Sequence, residues 1–575
     1  MKSNLALIGS LLLVLSGTVL GDTPMERILS ALEAGEISEA EAAELLLMSV
    51  NDFENVPSRF TEGADSEICG TPAMMEALRL VGDTDVPLAN RPVLSGPEYT
   101  LDSPSGHFKI HWTDSGADAT NSSYVNSIAL AADSAWAVQC DQMEFFQPPP
   151  DNNVGGDNKY DIYVKYLSGA TLGYTTCSGE YHPPDSTHDC SASHIVMNNN
   201  ITSIGTRVCT VAHEFQHAIQ MSYDYNEPTW FMENCAVWME EMTYPDYNDY
   251  LQYISYGENA LRYPWLDIRT GAMYWYGAFT WPWMMWDRWG YESVRSVWEY
   301  CAETSGNNML AAHDDMFADH GLTFEQFFMD YSAWRWFTAT NWYSGCGMYN
   351  PEAALWLPGP RVLPYHEASS LPFSGDQTTN FEPEQWGIHW IRVTLDDYQD
   401  EWIEFDFDGR DGFEWDLGVI MQDLDGDRHY FEWYDCDPSS GDLTVTVGAS
   451  GWDYAIFIPA FISSSPLDHL YTFDITAIGT GLEGSPDVTD QFDLDVSSNP
   501  MPANGSVSFN MPQAGRAEIH VYDMSGRVAA TLLDGEVPAG VNTVEFQGTD
   551  LSSGTYFIML FADGRMASQK VVLAE

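Results

Sequence analysis

Val211-Ala212-His213-Glu214-Phe215-Gln216-His217-Ala218 sets two imidazoles four residues apart with a carboxylate between them, the pattern HExxH. On a helix, positions i and i+4 share a face. His213 and His217 can therefore offer ring nitrogens to one metal ion, with Glu214 beside that face in reach of a metal-activated water. Val208, Val211, Ala212, Phe215, Ala218 and Ile219 recur at helical spacing and predict an embedded helix, whose histidines then need partners. Three fixed positions also arise by chance, and a helix holding two satisfied core histidines is the competing reading. Zinc-assisted hydrolysis is the chemistry that the metal reading permits.

The chain around this stretch has 575 residues, enough for about three or four folded units. Its 22 basic and 85 acidic side chains give a net charge of −63, which argues against nucleic acid or an anionic membrane as partner and fits solvated acidic faces. Met1-Lys2, an apolar run from Leu5 to Leu15 and Val19-Leu20-Gly21 read as a secretory signal over 1–21, so the mature chain is expected to start at Asp22 and to be exported. No later apolar run reaches about 18 residues, so no transmembrane helix is expected in the mature chain. Nine cysteines in an exported protein predict structural disulfides with at least one thiol left over; Cys177 with Cys190 and Cys209 with Cys235 are candidate pairs.

Residues 22–94 read as a helical pro-segment and linker. Helical patterns run from Met25 to about Phe53, broken at Gly35 and restarted by a capping box at Ser38-Glu39-Ala40-Glu41, and a weakly periodic surface linker follows from Glu54 to Leu94. The linker contains Cys69-Gly70-Thr71-Pro72. Cys69 is either one half of an ordinary disulfide or a thiolate that fills the open metal position and keeps a precursor latent. Residues 95–365 hold the motif, with strands at Gly106–Trp112, Tyr160–Tyr166 and Ser193–Met197 and a helix over Ser123–Phe145; the last of these strands is expected to edge a cleft and pair with an extended substrate. His107 and His111 are four apart on a strand, about 13 Å, too far to share an ion, and with His194 they read as strand or surface positions. Trp283 and Trp286 read as core rather than a sugar platform.

Beyond the motif, Gln220 and Tyr223 stand where a metzincin has Gly and His, which excludes that class. Trp230 to Glu240 reads as a second helix, and Glu233, sixteen positions after His217, can close a His-His-Glu site with one position open. HExxH followed by Trp230, Glu233, Ala236 and Glu240 resembles the gluzincin metallopeptidases of aminopeptidase N type. That resemblance implies Zn²⁺ held by His213, His217 and Glu233, Glu214 as general base, and a tyrosine in a Y-x-x-G segment as oxyanion donor: Tyr274, with Tyr276 next in line. Asn234 departs from the family's Gly, and no G-x-M-E-N segment precedes His213, so amino-terminal specificity is not implied. Glu240 reads equally as a residue orienting a ligand histidine or as a helix-surface carboxylate. The span from about Cys69 to Tyr250 is also similar to secreted bacterial metallopeptidase-like proteins of myxobacterial type.

Short strands from His389 to Phe457 predict a β-sandwich over 366–478, and Asp423–Asp427 reads as a calcium loop or an acidic hairpin turn. After a linker at 479–490, residues 491–575 resemble type IX secretion sorting domains and the related Ig-like module, on Val521–Val528, Leu551–Tyr556 and Lys570–Val572. This implies a secreted or cell-surface protein whose C-terminal domain engages secretion machinery. The whole reads as a multidomain chain: an α+β zincin-like catalytic domain, a β-sandwich and a C-terminal Ig-like β-sandwich. The expected activity is secreted zinc endopeptidase action on extracellular proteins or peptides. The rivals are a non-catalytic adhesin or scaffold with a structural or degenerate metal site, and a glycan-directed protein suggested by the aromatic load.

Overall fold

The computed structural model describes residues 23–574 apart from 66–67, 82–90, 178–188, 256–258, 272, 344–350, 357–365, 378–380, 425–427, 465–469, 480–492, 499, 503, 512, 523–527, 548–550 and 563–564. The signal segment, most of the Asp423–Asp427 loop and all of the 479–490 linker but Gly479 lie outside the described residues.

Four helices open the chain: α1 (Pro24–Glu33), α2 (Glu39–Asn51), α3 (Ser58–Thr61) and α4 (Thr71–Val81). The reciprocal capping box forms at Thr23 and Glu26 on α1, while Ser38 caps α2 by accepting from the Glu41 N–H. The expected Glu54–Leu94 surface linker is therefore corrected. Pro72 near its start suits α4, and Ala73, Met74 and Ala77 join Ile28, Leu46 and Val50 in a small core. That core also takes in Tyr163, Leu167, Tyr174 and Val196, so the N-terminal helices are seated on the sheet that follows.

This sheet comprises β1 (Tyr99–Asp102), β2 (Phe108–Trp112), β3 (Tyr160–Lys165), β4 (Gly173–Cys177) and β5 (Ser193–Asn198), in spatial order β1-β2-β3-β5-β4. Between β2 and β3 runs α5 (Ser122–Trp136). The β2-β3 and β3-β5 pairs are parallel, and β4 runs antiparallel to β5 at the edge. The expectation that Ser193–Met197 forms the edge strand is thus overturned, because β4 lies outside it.

The motif helix α6 (Ile204–Tyr223) is capped by Ser203 and is almost wholly buried. Helix α7 (Thr229–Thr243) packs on it, and α8 (Leu251–Ser255), α9 (Met273–Gly277), α10 (Thr280–Trp289), α11 (Tyr291–Cys301), α12 (Met309–Asp319) and α13 (Phe324–Trp336) complete an aromatic helical layer. Trp283 is fully buried and Trp286 is half-buried against the same core, so this pair packs as core material, as the sequence pattern suggested.

Two sheets follow. One comprises Phe373–Asp376, Tyr471–Ile478, Trp402–Gly409 and Asp442–Gly448, and the other runs through His366–Ala368, Ile391–Thr394, Tyr454–Phe461, Trp415–Asp423 and Arg428–Asp435. Leu417, Val419 and Phe457 face the sister sheet, whereas Ile420, Phe431, Ile456 and Ile458 join the core of the helical layer. The β-sandwich is therefore the outer part of three packed layers. Its second sheet continues, through Tyr430 opposite Ala567 and Phe431 opposite Met566, into the C-terminal strands. Those strands close their own core around Val507, Phe509, Ile519, Val521 and Ile558. The C-terminal domain also meets α10, where Trp289 Nε1 donates to Glu518 Oε2 at 3.4 Å and Arg288 lies 4.4 Å over the Phe561 ring. Among the described residues no helix is long and apolar enough to cross a membrane.

At the helix-sandwich junction Glu325, Asp416 and Asp435 bring carboxylates within 4.8 Å of one another. Burial, then Glu325, pushes the Asp416 carboxyl well above the usual carboxylate range. A carboxyl whose folded pKa exceeds its unfolded value loses stability as pH rises above about 4, until it is ionised in both states. Thermal unfolding of wild type and Asp416→Asn across this range is expected to show a midpoint that falls with pH more steeply in wild type; parallel curves would refute the assignment.

Candidate metal centre

Helix α6 projects His213 and His217 from one face, and α7 returns alongside it to bring Glu233 between them. His213 Nε2 lies 3.2 Å from His217 Nε2 and 3.2 Å from Glu233 Oε2, and His217 Nε2 lies 3.2 Å from Glu233 Oε1. Three donors from two helices thus face one point, and all are buried.

The outer ring nitrogens explain this aim. His213 Nδ1 donates to Glu240 Oε1 at 2.8 Å, and His217 Nδ1 donates to Gln220 Oε1 at 2.8 Å, with Gln220 Nε2 committed to the Met232 carbonyl at 2.9 Å. With Nδ1 carrying the proton in both rings, both Nε2 atoms present bare lone pairs to each other. Neither oxygen of Glu233 makes a hydrogen bond, although both are buried and both lie beside ring nitrogens. Acceptors so placed repel unless a cation sits among them.

The donor spacings are those of a small tetrahedral site. Tetrahedral zinc with Zn–N of about 2.0–2.1 Å and Zn–S of about 2.3 Å requires edges of about 3.3 Å between N or O donors and about 3.6 Å between N and S. The three N and O edges measure 3.2 Å, and Cys69 Sγ lies 3.6 Å from His217 Nε2. Cys69, His213, His217 and Glu233 offer ligand atoms that all lie within 4.8 Å of one another.

Charge points the same way. Glu214, Glu233 and Glu240 are buried, and no Lys or Arg among the described residues pairs with them. Burial pushes Glu240 up to about 7 against the pull of His213.

Glu214 lies beside the donors. Thr175 Oγ1 is 2.9 Å from its Oε2, and a Cβ added at Gly173 would come to 3.0 Å from Glu214 Cγ, so glycine there lets β4 pass close to the carboxylate side chain. Tyr274 is not brought to this site. It sits in a separate cluster with Ala260, Leu266 and Ala278, because residues two apart on a helix point about 200° from each other. Tyr276 faces the centre instead, 6.2 Å from the His213 ring and stacked on Tyr253 at 5.2 Å. Asn234 donates to the Trp275 carbonyl at 2.8 Å, tying α9 to α7.

Thr175 and Tyr253 carry no signal in the sequence, and Gln220 enters there only as a departure from the metzincin pattern. Gln220 carried one usable signal, being a hydrogen-bonding residue one helical turn after His217. The other histidines lie apart. His107 stacks on Trp136 at 4.0 Å, His111 is buried between Glu98 and Asp161, and His194 is buried in β5. The Cys209–Cys235 pairing is corrected: both are buried thiols, Cys209 toward Glu240 and Asp249, Cys235 toward Trp298.

Residues 95–457, more than half of the chain, match the model described as "Family of unknown function (DUF6055)". The chain belongs to that family. The family region spans β1 to β5, α5 to α13 and most of the first β-sandwich, so the candidate centre lies wholly inside it except for Cys69. Residues 499–574 match a "Secretion system C-terminal sorting domain", which makes the protein a secreted or cell-surface one whose C-terminal domain engages secretion machinery. No curated protein matches. A solved structure, the glycoside hydrolase domain of Endo-D from Streptococcus pneumoniae, is 12% identical over 35% of this chain and 33% of that one, with a TM-score of 0.13. The chain thus spans about a third of that structure, a likeness that bears on neither fold nor activity.

The Glu240 contact can be checked directly. Glu240→Ala is expected to fold and to weaken zinc binding about 10–100-fold, measured by chelator competition, because His213 loses the partner that fixes its tautomer. Unchanged affinity would mean that the contact does not orient the ring.

Proposed function

We propose that this protein is a secreted zinc-dependent endopeptidase of gluzincin type with a zincin-like catalytic domain. The observation that carries the proposal is the pair of Nε2 atoms 3.2 Å apart, each also 3.2 Å from an oxygen of Glu233 that makes no hydrogen bond. Zinc, when bound, supplies Lewis acidity that acidifies water and polarises a carbonyl. The remaining work falls to the chain. His213, His217 and Glu233 hold the ion, and Glu240 and Gln220 fix the rings. Glu214 takes the proton from water at its carboxylate and passes it to the leaving amine. Tyr276, in place of Tyr274, directs its hydroxyl toward the developing oxyanion. The edge strand β4 offers main-chain groups for pairing with an extended peptide, which supports internal rather than terminal cleavage.

One observation favours the non-catalytic scaffold: Cys69 completes a four-donor set, and closed four-ligand sites are the usual form of structural zinc. Against it, Cys69 comes from the N-terminal helical segment, outside the family region, and Glu214 has no ligand role that a structural site would need. Zinc-loaded protein from which limited proteolysis has removed the N-terminal helices is expected to cleave casein. Glu214→Gln should retain zinc while losing at least about 10²-fold in rate. Tyr276→Phe should lower kcat by about 10–10²-fold with little change in KM. Equal cleavage by wild type and Glu214→Gln would remove Glu214 from the mechanism, and cleavage by neither would favour the scaffold.

A further inference from the structure

We infer that Cys69-Gly70-Thr71-Pro72 is a built-in latch: in the precursor the Cys69 sulfur takes the fourth position on the metal while Thr71 occupies the general base, and removal of the N-terminal helices opens both. This rests on the zinc reading above and adds its regulation.

Each residue of the tetrapeptide has a distinct contact. Cys69 Sγ lies 3.6 Å from His217 Nε2 and 3.3 Å from Glu214 Oε1. Gly70 donates its N–H to the Gly173 carbonyl at 2.9 Å. A Cβ there would come 2.7 Å from Val50 Cγ1 and 3.1 Å from Tyr174 Cβ, so only glycine passes between α2 and β4. Thr71 Oγ1 accepts from the Thr175 N–H at 2.8 Å and donates to Glu214 Oε2 at 3.1 Å. Pro72 lies in the first turn of α4, the helix that anchors the tetrapeptide in the N-terminal core.

The segment also covers the peptide-binding edge. Leu172 donates to the Ile68 carbonyl at 2.8 Å and Cys69 pairs with Gly173 in a parallel bridge, so main-chain groups of β4 that a substrate would need are already taken. The Cys69 N–H reaches the Tyr276 hydroxyl at 3.4 Å, occupying the proposed oxyanion donor as well. One segment thus meets the metal position, the base, the oxyanion donor and the strand edge together. A cysteine serving only to pack would have no reason to meet all four. Ligation as thiolate forms an S–metal bond and releases one proton, for which Glu214 Oε1 is the acceptor at hand.

Full-length precursor loaded with zinc tests this without a mutation: X-ray absorption is expected to report a sulfur neighbour at about 2.3 Å. With cobalt in place of zinc, a thiolate-to-metal charge-transfer band is expected in wild type and not in Cys69→Ser, with the metal retained by both. Casein cleavage by the unprocessed Cys69→Ser protein is expected to exceed that of unprocessed wild type at least tenfold, and Cys69→Ala serves if the serine variant misfolds. A precursor whose zinc has no sulfur neighbour overturns the latch and leaves the peptidase reading standing. A precursor that binds no metal overturns both. A sulfur neighbour in a protein that stays inactive after the helices are removed, with a folded fourth position, assigns Cys69 to a structural site and overturns the latch.

Discussion

Two imidazole lone pairs held 3.2 Å apart in a buried site are the constraint on which the rest depends. Like-ended dipoles at that distance need a reason to stay, and the protein supplies it from behind each ring, with Glu240 on α7 and Gln220 on α6 itself. The α6-α7 packing therefore has a chemical as well as a hydrophobic role. It brings Glu233 in as the third donor and Glu240 in as the tautomer lock, seven residues apart and so on the same face of one helix. The acidic character of the chain, which reads at first as surface solvation, is repeated here in miniature where no basic residue offsets it.

The legible parts of this structure are those in which one stretch of sequence holds the whole signal. Helix α6 announces itself by periodicity and by His213, Glu214 and His217, and α7 by the spacing of Trp230, Glu233 and Ala236. Strand β4 does not: Gly173-Tyr174-Thr175-Thr176-Cys177 has no apolar alternation, and its status as an edge comes from pairing with β5 and from what covers it. The strand Trp415–Asp423 was hidden for a related reason, being buried on both faces between the sandwich and the helical layer. Tyr274 against Tyr276 is a question of helix phase, which a short motif leaves open. Cys69 is open to two readings in sequence, half of a disulfide or the filler of the open metal position, and its placement comes from contacts such as the pairing with Gly173, about a hundred positions away.

The packing of Ile420, Phe431, Ile456 and Ile458 into the helical core gives the β-sandwich a share in the domain that holds the centre. Hydrogen bonds repeat the connection at several points: Trp336 Nε1 donates to Gln422 Oε1 at 3.2 Å, the Ile388 N–H donates to the Pro264 carbonyl at 2.8 Å, and the Asp267 N–H donates to Glu384 Oε2 at 2.9 Å. A family region that runs from β1 into Tyr454–Phe461 is what such a shared core would require, since neither layer buries its apolar face alone.

The join between Tyr430–Phe431 and Met566–Ala567 makes the sorting domain an extension of the sandwich sheet. A sorting domain fused in this way carries orientation as well as an address. Wherever its C-terminal strands are held, the helical layer that carries the candidate centre is held at a set angle to that point, as a tool is by its handle. Detaching it would bare the main chain at Tyr430 and Phe431, lengthening a sheet edge open to pairing with other chains. Retention of the domain after export would thus serve colloidal stability as much as attachment.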